Sequence, residues 1–86
     1  MQTSDKMREL LQTLQPESIE IIDDSALHAG HAGAREGGHY RLTIVSAQFA
    51  GKKTMERHRM VHAALASLMQ NGIHALSINA RTPHEP

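Results

Sequence analysis

The histidines have the most distinctive chemistry in this sequence, because seven occur among 86 residues and no cysteine accompanies them. A neutral imidazole is the commonest protein ligand for metal ions. His28 and His31 lie three residues apart, and they can bind one ion if the chain folds around it. A solvated pair of loop histidines is the alternative. With no cysteine, the chain has neither a disulfide nor a thiolate nucleophile.

A second pair, His58 and His62, has the four-residue spacing that puts both rings on one face of a helix. That spacing suits a metal ion, but a third ligand must converge on the pair, and none is evident nearby. The zinc-protease signature also requires a glutamate directly after the first histidine, where this sequence has Arg59. We therefore expect these two histidines to be solvated or to cap the helix.

Positive charge is concentrated at residues 52–59. Residues 1–38 carry three Lys or Arg and seven Asp or Glu, a balance of −4, whereas residues 39–86 carry six and two, a balance of +4. Cations at the amino end of a helix oppose the helix dipole, so an anion or an acidic partner docked there would offset the cost. A solvated basic turn is the alternative. The side chains concerned are Lys52, Lys53, Arg57, His58 and Arg59.

None of the side-chain constellations that commonly indicate an enzyme is evident. The sequence has no clear nucleophile–base pair, no carboxylate dyad and no phosphate-binding glycine motif. No apolar run approaches the ~18 residues of a membrane span, and residues 1–6 lack the apolar segment of a signal peptide. We therefore expect a binding protein with a cytoplasmic location and no membrane partner.

The first part of the chain is predicted to form a helix and a strand. Thr3 or Ser4 is the expected N-cap, and Pro16 ends the helix at or before Gln15. Residues 18–24 have the alternation of a strand, which the polar residues after them stop. The apolar stripe of the helix consists of Met7, Leu10, Leu11 and Leu14.

Residues 26–38 are predicted to form a flexible loop that carries His28 and His31. Four glycines among these thirteen residues indicate a connection near the upper limit of ordinary loop length, and such loops are functional or disordered. Residues 39–46 are the clearest strand and are expected to pair antiparallel with the first strand across this loop. The apolar face of this strand consists of Tyr40, Leu42 and Ile44.

Residues 54–70 are predicted to be helical, with Thr54 as the N-cap and Asn71-Gly72 as a left-handed C-cap. The methionines near the start of this region are compatible with a short turn followed by a longer helix. The apolar stripe consists of Val61, Ala64, Leu65, Leu68 and Met69.

His74 lies at the beginning of a third predicted strand, residues 73–81. Strict alternation puts its side chain on the same face as Leu76 and Ile78, the more apolar face. Two roles are compatible with that position: a half-buried histidine bonded to backbone, or a preorganised ligand with one nitrogen exposed. Residues 82–86 are expected to form a frayed tail.

The order helix–strand–strand–helix–strand predicts an α+β, two-layer domain in which helices cover a three-stranded mixed sheet. One small domain accounts for residues 1–86. Phe and Tyr occur once each and Trp is absent. The core is therefore expected to be aliphatic.

The segment around the basic residues resembles the signature of the BolA family. The matching residues are Phe49, Gly51, Arg57, His58, Arg59 and Val61, with Ile73-His74-Ala75-Leu76 downstream and His28-Ala29-Gly30-His31 upstream. The resemblance extends from about residue 7 to residue 83 and implies the same fold, similar to a class II KH domain. KH domains clamp nucleic acid with a Gly-x-x-Gly loop. The corresponding turn here has the single glycine Gly51, which argues against classical KH-type RNA binding.

The resemblance implies, first, that the chain pairs with a monothiol glutaredoxin around a shared 2Fe–2S cluster. The family's strand ligand falls on His74, and its loop ligand falls on His28, with His31 as the near alternative. Imidazole in place of thiolate on one iron raises the reduction potential of such a cluster. The glutaredoxin would supply its cysteine and bound glutathione, so we expect the isolated chain to be a monomer without a cofactor.

The second implied activity is transcriptional regulation by direct DNA binding. The cations at residues 52–59 stand at a predicted helix start, where phosphate contacts are natural. The zero net charge of the chain and the acidic residues of its first half disfavour a duplex. DNA binding is therefore the alternative to cluster sharing.

Overall fold

The computed structural model describes residues 2–24 and 38–84, which form an α+β domain. The helices are α1 (Thr3–Leu10), α2 (Thr54–Ala64) and α3 (Ala66–Gln70), and the strands are β1 (Ser18–Asp23), β2 (Gly38–Val45) and β3 (Ile73–Arg81). Short 3-10 turns follow α1 at Leu11–Leu14 and β2 at Ala47–Phe49. The predicted fold class is confirmed. None of the helices within the described ranges combines the length and the apolar character that a membrane span requires.

The three strands form one mixed sheet in the order β1-β2-β3. β1 and β2 are antiparallel, with Ile21 opposite Leu42, and β2 and β3 are parallel, with Leu42 opposite Ile78. The predicted antiparallel pairing is therefore confirmed. Parallel neighbours need a crossover connection, and α2 and α3 provide it between β2 and β3.

The core lies between the helices and one face of the sheet. Tyr40, Leu42 and Ile44 are buried on β2, as their alternation predicts. Phe49, just after β2, is completely buried. Burying one such side chain contributes about 1.5–3 kcal/mol. The helical segments add the buried residues Met7, Leu11, Leu14, Val61, Leu65 and Leu68.

The N-cap of α1 is Gln2, so the prediction of Thr3 or Ser4 is wrong. The carboxylate of Asp5 accepts a hydrogen bond from the Gln2 N–H at 3.3 Å, and a negative charge in the first turn suits the helix dipole. A carboxylate three residues along, and not a hydroxyl on the cap, stabilises this end. The helical segment ends at Leu14, in agreement with the prediction.

The helical region after β2 differs from the prediction at its start and in its middle. Its N-cap is Lys53 and not Thr54, and Glu56 accepts a hydrogen bond from the Lys53 N–H at 3.3 Å. The helix breaks at Leu65, where φ is −100° and ψ is 14°, and not near Met55 and Met60 as predicted. The left-handed C-cap predicted at Asn71-Gly72 is wrong, because Asn71 is extended with φ of −156°. Gly72 has φ of 142°, which favours glycine but lies outside the left-handed helical region.

Ser46 joins the end of β2 to the end of the first helical segment. Its hydroxyl donates to the Leu14 carbonyl at 2.6 Å and accepts from the Gln48 N–H at 3.1 Å. The residue is fully buried, where a hydroxyl without partners would be costly. These two hydrogen bonds tie the end of β2 and the turn after it to the first helical segment.

Candidate functional site

His74 is exposed at the beginning of β3, so its predicted position on the apolar face is wrong. The pairing with β2 passes from Gly38–Ile73 directly to His39–Ala75. His74 is therefore the extra residue of a β-bulge, which interrupts the strict alternation of side chains. Because of the bulge, Ile73 enters the core, at 4% exposure, and His74 lies at the surface.

The bulge brings His74 beside His39, the second residue of β2. The two ring centroids are 5.2 Å apart, and the ring planes are inclined at 48°. Two imidazoles bound to one tetrahedral ion have centroids roughly 5 Å apart, given metal–nitrogen distances of about 2.1 Å. His39 and His74, which we call the histidine pair, therefore have a spacing that suits a shared ion.

Sequence reasoning missed His39 as a candidate ligand. It stands 35 positions before His74, and only the parallel pairing of β2 with β3 brings the two rings together. Its place directly after the predicted loop is the one sequence signal that could have identified it. The predicted loop ligands His28 and His31 lie outside the described residues.

A surface ion pair lies next to His39. The Asp24 N–H donates to the His39 carbonyl at 2.7 Å, and the Asp24 carboxylate pairs with Arg41 Nε at 2.6 Å. Because Arg41 is 59% exposed, such a pair contributes at most about 1 kcal/mol. The backbone hydrogen bond extends the β1–β2 pairing by one residue and so anchors the backbone of His39 on the side away from His74.

The predicted pair His58 and His62 lies on α2, with His58 half-buried and His62 exposed. Across residues 2–24 and 38–84, no group of three or more His, Cys, Asp or Glu side chains is arranged to hold a metal ion. A metal site at either pair of histidines therefore needs further ligands from outside the described part of the chain.

The basic turn surrounds the start of α2. It consists of Lys52, Lys53, Arg57, His58 and Arg59. Lys52, Lys53 and Arg59 are exposed, whereas Arg57 and His58 are half-buried. The chain enters the turn through Gly51, where φ is 76°. This value is readily adopted only by glycine.

Arg57 differs from the other cations of the basic turn in its contacts. Its Nε donates to the Lys52 carbonyl at 2.9 Å, and a terminal guanidinium nitrogen donates to the Ala80 carbonyl at 3.0 Å. The sequence puts Arg57 among five basic side chains expected to contact an anion or a partner, and the structure adds a role for it in the fold. The side chains of Lys52, Lys53 and Arg59 are exposed and therefore accessible to a partner.

The histidine pair and the basic turn lie at opposite ends of β3. His74 is the second residue of the strand, and Ala80, which Arg57 contacts, is its second-last. Six residues of strand span roughly 20 Å at about 3.3 Å per residue. A partner bound at the histidine pair therefore does not cover the basic turn unless it extends along the whole strand.

Comparison with known proteins gives matches over nearly the whole chain. The model of the BolA-like protein family matches residues 10–85. Human BolA-like protein 1 is 43% identical over 74 residues, which cover 86% of this chain and 53% of that protein. The DNA-binding transcriptional regulator BolA of Vibrio cholerae is 37% identical over 78 residues, which cover 91% of this chain and 72% of the regulator.

The solved structure of BolA1 from Arabidopsis thaliana is similar along its whole length. It is 40% identical, has a TM-score of 0.86, and the match covers 100% of this chain and 98% of that one. The chain spans about half the length of the first curated relatives it matches, at 53% of the human protein. The signature at residues 49–61, the fold and the family model agree. The chain therefore belongs to the BolA-like protein family.

Proposed function

We propose that this chain is a regulatory BolA-like protein that pairs with a monothiol glutaredoxin around a shared 2Fe–2S cluster, in iron–sulfur trafficking or iron sensing. The observation that carries the proposal is the 5.2 Å separation of the His39 and His74 rings at one end of the sheet. A binding role without enzymatic activity and a cytoplasmic location belong to the same proposal.

The donor atoms of the histidine pair fit half of such a cluster. In 2Fe–2S centres with mixed ligands, two imidazoles bind one iron and two thiolates bind the other, and the potential is raised. This chain contains no cysteine, so the sulfur ligands must come from the glutaredoxin cysteine and its glutathione. The exposure of His74 gives a partner access to its ring.

Three histidines are candidates for the ligand beside His74. His39 is held in β2, so ordering its ring on binding costs little conformational entropy. His28 and His31 are supported by the family resemblance. Single alanine substitutions distinguish the three, because only loss of the true ligand changes the environment of the iron.

The test is to mix the chain with a cluster-loaded monothiol glutaredoxin and to record visible absorption and circular dichroism. We expect the native chain to form a heterodimer with a changed spectrum and His74→Ala to lose that change. Among His28→Ala, His31→Ala and His39→Ala, the variant with the largest loss identifies the second ligand. His62→Ala is the matched control, because it removes an exposed histidine of α2.

Two results would contradict the proposal. A native spectrum with His74→Ala would refute the assignment of this ligand while leaving the partnership intact. The absence of any heterodimer with the native chain would refute the partnership itself, and DNA binding would then become the leading function.

The second candidate function is transcriptional regulation by DNA binding through the basic turn. The Vibrio cholerae relative carries that function in its name, and the exposed cations of this chain lie together at a helix start. Each phosphate neutralised contributes about −0.9 to the slope of log affinity against log salt. The three exposed cations therefore allow a slope of about −2.7.

Gel retardation over a range of salt concentrations tests this function. The combined substitution of Lys52, Lys53 and Arg59 by glutamine should abolish retardation of a DNA duplex. Lys6→Gln is the control, because it removes an exposed charge from α1. Equal retardation by the triple variant and the native chain would exclude the basic turn as the DNA contact.

A further inference from the structure

Arg57 joins the basic turn to the end of β3. Its guanidinium donates to the carbonyl of Lys52 in the turn and to the carbonyl of Ala80 in the strand, at 2.9 and 3.0 Å. A planar guanidinium presents donors in a fixed fork, whereas a lysine ammonium is a point charge on a flexible stem. The residue type therefore suits a bridge between two carbonyls.

The Ala80 carbonyl lies on the outer edge of the sheet that the described strands form. The neighbouring Arg81 carbonyl accepts the Ser46 N–H at 2.9 Å and so faces towards β2. Successive carbonyls of a strand point in opposite directions across the sheet. The Ala80 carbonyl therefore points away from β2, and Arg57 supplies the donor that an adjacent strand would otherwise provide.

Arg8 makes a comparable contact at the opposite edge of the sheet. One of its terminal nitrogens donates to the Ile19 carbonyl of β1 at 3.2 Å. The hydrogen bond from the Asp24 N–H to the His39 carbonyl indicates that even-numbered residues of β1 face β2, so the Ile19 carbonyl faces outwards. Arg8 thus caps a sheet edge without contacting the basic turn.

We propose that Arg57 is the positioning residue of the basic turn and does not itself contact phosphate. It holds the Lys52–Lys53 backbone at the end of β3, so that the exposed cations form one surface. The side chains that contact phosphate are Lys52, Lys53 and Arg59. This inference rests on the second proposed function, DNA binding through the basic turn.

The first test compares Arg57→Lys with Arg57→Gln in the binding of a short DNA duplex at several salt concentrations. A positioning role predicts that both variants weaken binding by about tenfold, because two lysine side chains must then be ordered on binding. It also predicts an unchanged salt slope for both. Lys52→Gln, in contrast, should reduce the magnitude of the slope by about 0.9.

The control variant is Arg8→Gln, which removes the other edge contact and should leave the affinity for the duplex unchanged. Native affinity in Arg57→Lys would show that charge alone matters and would overturn the inference. So would a slope reduced by about 0.9 in Arg57→Gln. Failure of the native chain to bind the duplex would instead remove the proposed DNA binding, and the inference with it.

A second measurement addresses the contact itself and decides the inference if a variant does not fold. In the native chain, hydrogen exchange at the side-chain Nε of Arg57 should be slower than at that of the exposed Arg59, because the Arg57 group is bonded to a carbonyl. Equal exchange rates for the two arginines would contradict a positioning role.

Discussion

The two ends of β3 present candidate binding groups in different ways. At its beginning, strand register and a bulge place His74 beside His39, with ring centroids 5.2 Å apart. At its far end, a side chain does the positioning, because the Arg57 guanidinium bonds the turn to the strand. The histidine pair therefore depends on backbone pairing, whereas the basic turn depends on one arginine.

This difference predicts how each end responds to substitution. A site built by register is insensitive to most single side-chain changes around it, because many backbone hydrogen bonds hold the register. A site held by one guanidinium is sensitive to that residue and can be disabled without unfolding the sheet. The two ends can therefore be perturbed separately as long as the common core is intact.

The largest effect is expected for Phe49→Ala, which tests whether the two ends share one core. Removing this fully buried ring should lower the free energy of unfolding by about 3–5 kcal/mol. Urea unfolding followed by circular dichroism measures the loss, and NMR signals from His74 and Lys52 should disappear in one transition. Met55→Ala is the control: its side chain is 65% exposed, so the change should stay within about 0.5 kcal/mol.

Separate unfolding of the histidine pair and the basic turn in Phe49→Ala would break the comparison. The two ends would then belong to different cooperative units. Their separate responses to substitution would follow from separate unfolding, and not from the different ways in which the two groups of side chains are held.

An intermediate effect is expected for Gly38→Ala, which perturbs the histidine end alone. An added Cβ would overlap the buried ring of Tyr40, and such overpacking costs about 1–3 kcal/mol. Because Gly38 pairs with Ile73 just before the bulge, the His39 and His74 ring resonances should shift. Unfolding curves and NMR spectra measure the two effects.

Gly51→Ala is the matched change at the basic turn. The added methyl group meets no atom within 4 Å, but φ of 76° disfavours a side chain, at about 1–2 kcal/mol. This variant should shift the NMR resonances of the basic turn and leave those of His39 and His74 unchanged. Unmoved His39 and His74 resonances in Gly38→Ala would mean that Tyr40 accommodates the added methyl group without any displacement of the bulge.

The smallest effect is expected for Arg41→Met, which removes the surface ion pair with Asp24 next to the histidine pair. The loss should be at most about 1 kcal/mol and should shrink further as salt screens the charges. A double-mutant cycle with Asp24→Asn at low and high salt measures it. Cluster or metal binding by the histidine pair should be unaffected, because the Asp24 N–H bond to His39 is a backbone contact.

If Arg41→Met strongly weakened cluster or metal binding by the histidine pair, the distinction between a site held by register and a site held by one arginine would be lost. Each would then rest on one arginine side chain, and the register of β2 and β3 would not be sufficient to hold the rings.

Helix ends show where local patterns stop being informative. Hydroxyl residues at positions 3, 4 and 54 predict caps, yet the chain uses Gln2 and Lys53 with a carboxylate three residues later. Several side chains near a helix start can satisfy the same few N–H groups. The choice between them depends on small differences in energy that the pattern does not contain.

The amino-acid sequence alone determines the elements whose residues must be buried. Tyr40, Leu42 and Ile44 recur every two residues, and the helical stripes recur every three or four, because one face of each element must leave water. Those patterns suffice for the elements, the fold class and the identity of most core residues.

Only the tertiary structure decided which groups meet on the surface. His39 lies beside His74 because parallel strands pair across a crossover and a bulge displaces one residue. Arg57 became part of the fold because, among the described strands, none lies beside the outer edge of β3 to donate to the Ala80 carbonyl. Both outcomes depend on partners distant in the chain, and the periodicity of a segment carries information only about which of its own faces is apolar.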